Sequence, residues 1–141
     1  MPLPASRAIA PHLELLSEAP STNAELAARA SATDLPDFTV LVTTNQTAGR
    51  GRLGRDWVSP PGTTIAVSVL FAPEPGLVAA VGWLPLLTGL AMTRAVRDLL
   101  PARPVSLKWP NDVQVDGLKV CGILGQVVPG RGLIMGAGLN L

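Results

Sequence analysis

The sequence predicts one α+β domain: a mixed, largely antiparallel sheet with helices packed on it. Three observations carry that expectation. Short β-branched and apolar runs outnumber helical ones. The second half is cut by tight turns, Asp116-Gly117 and Pro129-Gly130-Arg131-Gly132, of the kind that join antiparallel neighbours. A length of 141 residues, 48% hydrophobic and only 15% charged, suits a single well-filled core and argues against disorder.

The elements follow in order. His12 to Glu18 alternates weakly and reads as a first strand. Thr22-Asn23-Ala24-Glu25 has the spacing of a capping box and opens a helix to about Ala30. Phe38 to Thr44 is β-branched and apolar, hence a buried strand. Asn45 to Gly62 is a loop rich in glycine and arginine, and Thr64 to Phe71 is a second strong strand. Pro75 to Thr93 lacks any charge and approaches the roughly 20 residues that span a bilayer. Pro75, Gly76, Gly82, Pro85 and Gly89 punctuate it, and Arg94, Arg97 and Asp98 continue its pattern. It therefore reads as a buried core helix, Trp83 to Leu100, closed near Pro101. Val105 to Trp109 is a strand that stops at Pro110. Val113 to Val115 and Lys119 to Val128 form hairpin arms around Asp116-Gly117. Leu133 to Leu141 is a last strand, interrupted at Gly136 and Gly138. It ends without a polar tail, so the chain is expected to be a fragment of a longer protein.

Composition excludes several functions. A formal net charge of +1 provides no global field to recruit nucleic acid or an anionic membrane, so any basic site must be local. A single cysteine, Cys121, rules out an internal disulfide and suits a reducing compartment. The first residues lack the apolar stretch of a secretory signal, and a cytoplasmic location is expected. His12 is isolated and Cys121 lies on an apolar arm, so neither a Cys/His metal site nor a Ser-His-Asp triad has its partners.

Four stretches carry chemistry. In Gly49-Arg50-Gly51-Arg52-Leu53-Gly54-Arg55, followed by Trp57, three arginines alternate with glycines. Glycine lets backbone N–H groups approach a ligand, and arginine supplies forked donors matched to phosphate or carboxylate. The loop does not match a phosphate-binding P-loop. An anion-binding loop, a solvated basic turn and an RNA-binding arginine–glycine element all remain open readings. Lys108-Trp109-Pro110-Asn111-Asp112, with Lys119 on the return arm, brings two cations and a carboxylate together. They suit a phosphate or carboxylate ligand, with Asp112 orienting a lysine or binding Mg²⁺; a Lys–Asp pair at a hairpin mouth explains them equally well. Ser21-Thr22-Asn23 is explained as a helix N-cap, a place that also binds polar ligands. Gly136-Ala137-Gly138-Leu139-Asn140 lets a ligand lie close to a strand.

In order and spacing, these stretches resemble the biotin protein ligases, the biotin–[acetyl-CoA-carboxylase] ligases. The resemblance runs from Ser21 to the end and includes Gln46-Thr47-Ala48 before the arginine loop and Gly122-Ile123-Leu124 after Lys119. It implies the class II aminoacyl-tRNA synthetase/biotin synthetase-like fold. Residues 1–141 would be the N-terminal and central part of the catalytic domain. The implied reaction is ATP-dependent activation of biotin to biotinyl-5′-AMP, then transfer to a lysine of a biotin carboxyl carrier protein domain. Lipoate and octanoyl ligases, which share the general fold with different glycine signatures, are the nearest rivals. A non-catalytic anion- or RNA-binding module is the third reading.

The family's roles, carried over by position, put Ser21, Thr22, Asn23 and Gln46 on biotin. Arg50, Gly51 and Arg52 fall in the loop that closes over it, and Lys119 meets its carboxylate. Lys119, Arg52 and Asp112 would serve the chemistry. Arg55, Trp57, Lys108, Asn111 and Asn140 would lie on the nucleotide side. Mg²⁺ would arrive with ATP and not in a protein-built metal site. Two departures stand out. Leu53 replaces a basic residue common in relatives, and only 20 residues precede Ser21, too few for a DNA-binding helix-turn-helix. No DNA or membrane partner is expected, and a homodimer is left open.

Overall fold

The computed structural model of the chain describes residues 4–74 and 81–141. A short helix α1 (Pro4–Ile9) leads to strand β1 (Leu13–Leu15), then helix α2 (Thr22–Ala32) and β2 (Val40–Thr43). A two-residue hairpin, β3 (Gly49–Arg50) and β4 (Asp56–Trp57), precedes β5 (Thr64–Phe71). Helix α3 (Leu84–Leu99) is followed by β6 (Val105–Lys108), β7 (Asp112–Val115), β8 (Leu118–Val128) and β9 (Gly132–Asn140). Seven strands make one sheet in the order β1-β2-β5-β9-β8-β7-β6. Only the β1–β2 pair is parallel, so the sheet is mixed and largely antiparallel, as the sequence implies.

Alternation along β9 explains where the helices go. Leu133, Met135 and Ala137 pack in one cluster with Val96 of α3. Ile134, between them, packs with Leu26 and Ala30 of α2. Successive strand residues point to opposite faces, so α2 and α3 cover opposite sides of the sheet. Leu26, Leu41, Leu70 and Ile134 are fully buried, each contributing roughly 1.5–3 kcal/mol of transfer free energy. The ion pairs Arg29–Glu14 and Arg131–Asp34 are half or more exposed on at least one side and contribute only about 0–1 kcal/mol each. Apolar burial on the two faces therefore holds the domain together.

Four sequence expectations shift. The cap of α2 is Ser21, one residue earlier than a box beginning at Thr22 requires; its hydroxyl accepts from the Ala24 N–H. Glu25 does not reach back to close the box but pairs with Arg29 at 2.8 Å. The helix read as core, α3, buries only the stripe Gly89, Thr93 and Val96 and leaves Leu87 and Leu90 about half exposed. A helix lying on one sheet face has one stripe in contact with it. No described helix is long and apolar enough to cross a membrane; residues 75–80, the start of the uncharged segment, lie outside the described residues. Helix α1 and the β3–β4 hairpin are not visible as periodic runs, because six and two residues are too few to show a period.

The strong runs are as expected. β5 spans the residues read as a strand, with Thr64, Ala66, Ser68 and Leu70 buried at alternate positions. Asp116 and Gly117 both take positive φ, 50° and 80°, which is what a tight two-residue hairpin requires. Cys121 is fully buried, and burial pushes its thiol up to about 12. Iodoacetamide at about pH 8 is therefore expected to label the unfolded chain far faster than the folded one, because the thiolate is the reactive species. Equal rates, followed by mass spectrometry, would place Cys121 outside the core.

Candidate functional site

The site begins at the N-terminus of α2. Backbone bonds from Thr47 N–H to Ala19 C=O and from Ala48 N–H to Pro20 C=O tie the entry of α2 to the segment after β2. Gln46 is thereby brought beside Thr22, whose N–H donates to Gln46 Oε1 at 2.9 Å. Thr22 and Asn23 are buried. Asn23 Nδ2 donates to the Leu124 carbonyl of β8 at 3.2 Å. Ser68 Oγ, on β5, lies 2.8 Å from Thr22 Oγ1 and 2.5 Å from Asn23 Oδ1. These polar groups have left water but found partners, which is the condition for burying them without a large penalty.

The wall is made of glycine. Gly122 on β8 and Gly138 on β9 are direct cross-strand partners. The Trp57 indole lies on both: a Cβ added at Gly122 would sit 3.1 Å from the ring, and one at Gly138 2.9 Å from it. A Cβ at Gly136 would overlap Asn23 Oδ1. These glycines form a smooth strip against which the Trp57 ring and the start of α2 both close. Trp57 Nε1 is buried without a hydrogen-bond partner.

The mouth is cationic. Lys119 Nζ sits 2.8 Å from Asp112 Oδ1, close as an ion pair but not aligned as a hydrogen bond. It also stands 5.5 Å from the centroid of the Trp57 ring, within cation–π range. With side chains 42% and 25% exposed, the ion pair adds little to stability; what it does is hold the ammonium at the rim. Arg52 Nη1 donates to Asn111 Oδ1 at 3.1 Å, and Asn111 Nδ2 donates to the Ile123 carbonyl at 3.0 Å. The β8 backbone thus orients Asn111, and Asn111 steadies Arg52. Leu53, at the loop tip, is 87% exposed and takes a left-handed φ of 58°. Among the described residues no group of three or more His, Cys, Asp or Glu side chains could hold a metal.

One cavity gathers most of the residues singled out in the sequence. Ser21, Thr22, Asn23 and Gln46 line its floor, and Arg50, Gly51, Arg52, Trp57, Asn111 and Lys119 line its side and mouth. Asp112 joins at the rim through Lys119. Arg55, Lys108 and Asn140 do not line the cavity: all three are exposed, Lys108 and Asn140 as the last residues of β6 and β9, with Lys108 opposite Asp112. Ser68 is the residue sequence reasoning missed. Its signal was present, a polar side chain at an inward position of an apolar strand, which demands a buried partner.

A hydrogen-bonding floor, a flat glycine wall and a cationic mouth together have the chemistry to suit a compact organic anion with a polar head. The chain belongs to the Biotin/lipoate A/B protein ligase family, whose model matches residues 16–140. It is 41% identical over 131 residues to the biotin–[acetyl-CoA-carboxylase] ligase of Mycobacterium tuberculosis, covering 92% of this chain and 49% of that one. Its fold matches the biotin protein ligase of Leishmania major in complex with biotinyl-5-AMP, with a TM-score of 0.79, 32% identity and coverage of 93% and 57%. It also matches the Aquifex aeolicus biotin protein ligase in complex with biotin and ATP, with a TM-score of 0.73, 36% identity and coverage of 92% and 52%. The chain thus spans about half the length of these relatives.

The Gly136–Asn23 contact yields a test. Gly136→Ala is expected to displace the Asn23 side chain and lower stability by about 1–3 kcal/mol, the usual range for an overpacked site. Urea unfolding measures this, and an unchanged midpoint would mean that the strip tolerates a β-carbon.

Proposed function

We propose that this chain supplies the biotin-activating part of a biotin protein ligase. In the first step a biotin carboxylate oxygen attacks the α-phosphorus of ATP; pyrophosphate leaves and biotinyl-5′-AMP forms. In the second, the amine of a lysine on a biotin carboxyl carrier domain attacks the acyl carbon, forming an amide and releasing AMP and a proton. The observation that carries this reading is the single cavity in which the polar floor, the glycine wall and the cationic mouth converge. The likeness to a ligase in complex with biotinyl-5-AMP supports it. Residues 1–141 act as part of the catalytic domain, in the cytoplasm, with the carrier domain as partner.

The roles that the family resemblance implies are compatible with the chemistry at each position. Thr22, Asn23 and Gln46, positioned by the Ser21 cap, receive the polar head of biotin. Trp57 and the glycine strip enclose its apolar rings and tail. Lys119, at the mouth, meets the carboxylate and offsets the negative charge that builds as carboxylate and phosphate approach; a fixed cation placed where charge develops is the effective form of such stabilisation. Arg50 and Arg52, with Gly51 between them, close over the adenylate, and Asn111 holds Arg52 on the phosphate side. Asp112, 2.8 Å from the Lys119 ammonium, keeps it aimed at the mouth until the carboxylate replaces it. Arg55, Lys108 and Asn140 act at the nucleotide end, beyond the cavity wall. Mg²⁺ enters bound to the ATP phosphates as part of the substrate.

Biotin, ATP and Mg²⁺ mixed with the chain are expected to give biotinyl-5′-AMP detectable by mass spectrometry. No adenylate, together with no biotin binding by calorimetry and tighter binding of lipoate, would replace this reading by a lipoate-type ligase. Lys119→Ala is expected to slow adenylate formation by about 10²–10³-fold with an unchanged circular dichroism spectrum. Full activity in that variant would remove Lys119 from the mechanism.

A further inference from the structure

Ser68 has no exposed surface and belongs to none of the four motifs that converge on the cavity, yet it stands at the centre of the polar floor. Its Oγ lies within hydrogen-bond distance of both Asn23 Oδ1, at 2.5 Å, and Thr22 Oγ1, at 2.8 Å. Counting protons fixes the direction of each contact. Asn23 Nδ2 is spent on the Leu124 carbonyl, so its Oδ1 is the atom that faces Ser68. An amide oxygen only accepts, so the single Ser68 proton goes to Asn23. Thr22 must then donate to Ser68 Oγ, because Ser68 has no second proton to give.

That assignment has a consequence for the floor. Gln46 Oε1 lies 3.2 Å from Thr22 Oγ1, but it is already held at 2.9 Å by the Thr22 N–H and does not need the hydroxyl. With its proton committed to Ser68, Thr22 Oγ1 turns only lone pairs toward the cavity. Gln46 Oε1, an amide oxygen, also offers only lone pairs. We propose that Ser68 is a positioning residue: it fixes the Thr22 hydroxyl as a hydrogen-bond acceptor, so that the floor selects a ligand head carrying N–H donors. This rests on the biotin reading above. The cyclic urea of biotin offers two N–H groups, whereas the dithiolane ring of lipoate offers none and would leave the cavity-facing lone pairs of Thr22 Oγ1 and Gln46 Oε1 without a donor. A site built for hydrogen-bonding groups discriminates strongly against an analogue that lacks them.

The test is a double-mutant cycle on adenylate formation. Ser68→Ala releases the Thr22 proton and is expected to raise KM for biotin about tenfold, with kcat held within about twofold. In a Thr22→Val background, which has no hydroxyl to orient, Ser68→Ala is expected to change KM no further. Residues acting through one another are non-additive in this way. Should Ser68→Ala fail to fold, Ser68→Cys keeps the volume with a weaker donor and takes its place in the cycle. An unchanged KM, a loss confined to kcat, or full additivity with Thr22→Val overturns the proposal. If the wild-type chain makes no adenylate, binds no biotin and binds lipoate more tightly, the biotin reading fails on its own. The role of Ser68 is then decided by hydrogen exchange of the Thr22 hydroxyl proton followed by NMR, slow in the wild type and fast in Ser68→Ala. Equal exchange in the two proteins overturns it.

Discussion

A β-carbon at residue 136 would collide with the side-chain amide oxygen of Asn23, Oδ1, and the site depends on its absence. Because β9 carries glycine there, the first turn of α2 descends onto the sheet until Asn23 reaches the Leu124 carbonyl of β8 and Ser68 of β5. One side chain thereby ties three elements: the helix, the strand beside β9 on one flank and the strand beside it on the other. The hydrogen bonds are buried, where a satisfied polar cluster is rigid and a broken one is expensive. This is how a helix end becomes a floor with a defined donor and acceptor pattern.

The same lack of side chains two residues further on, and across on β8, determines what covers the floor. Gly122 and Gly138 are paired in register, so their bare backbones lie side by side. A flat indole fits on such a strip, and Trp57 takes that place. The ring in turn gives Lys119 a face to stand over while Asp112 balances its charge. The cationic mouth is thus arranged by packing as much as by charge attraction. The partly exposed Lys119–Asp112 pair is too weak to organise the region, whereas the buried clusters on both sheet faces are not.

Covering the sheet on opposite faces also separates two tasks. The α3 side is an apolar cluster of valine, isoleucine, leucine and methionine whose only fully buried sulfhydryl is held neutral. The α2 side carries an apolar cluster at one end, around Leu26 and Ile134, and the polar floor at the other. Successive residues of β9 serve both: Met135 packs under α3 while Gly136 meets Asn23. A strand that must support a core on one side and a ligand site on the other needs this alternation, and the glycine-interrupted sequence of β9 records it.

Much of this was written in the sequence. Thr64–Phe71, the Asp116-Gly117 turn and the β8–β9 arms are long or distinctive enough that local chemistry fixes them, and an α+β fold with a largely antiparallel sheet follows. The arginine–glycine loop, Ser21-Thr22-Asn23 and the Lys108–Lys119 stretch could each be marked as chemistry-bearing, because their residue types have few structural uses at such density. Three things were decided only in three dimensions. The cap fell on Ser21, freeing Thr22 and Asn23 to turn inward, since the attachment of the preceding segment to residues 45–48 sets where the helix begins. Helix α3 buried only the stripe Gly89, Thr93 and Val96, since a sheet offers one face. Ser68, 45 residues from Asn23, acquired its partners only when β5 and α2 met, because strand periodicity says which way a side chain points and not what awaits it there.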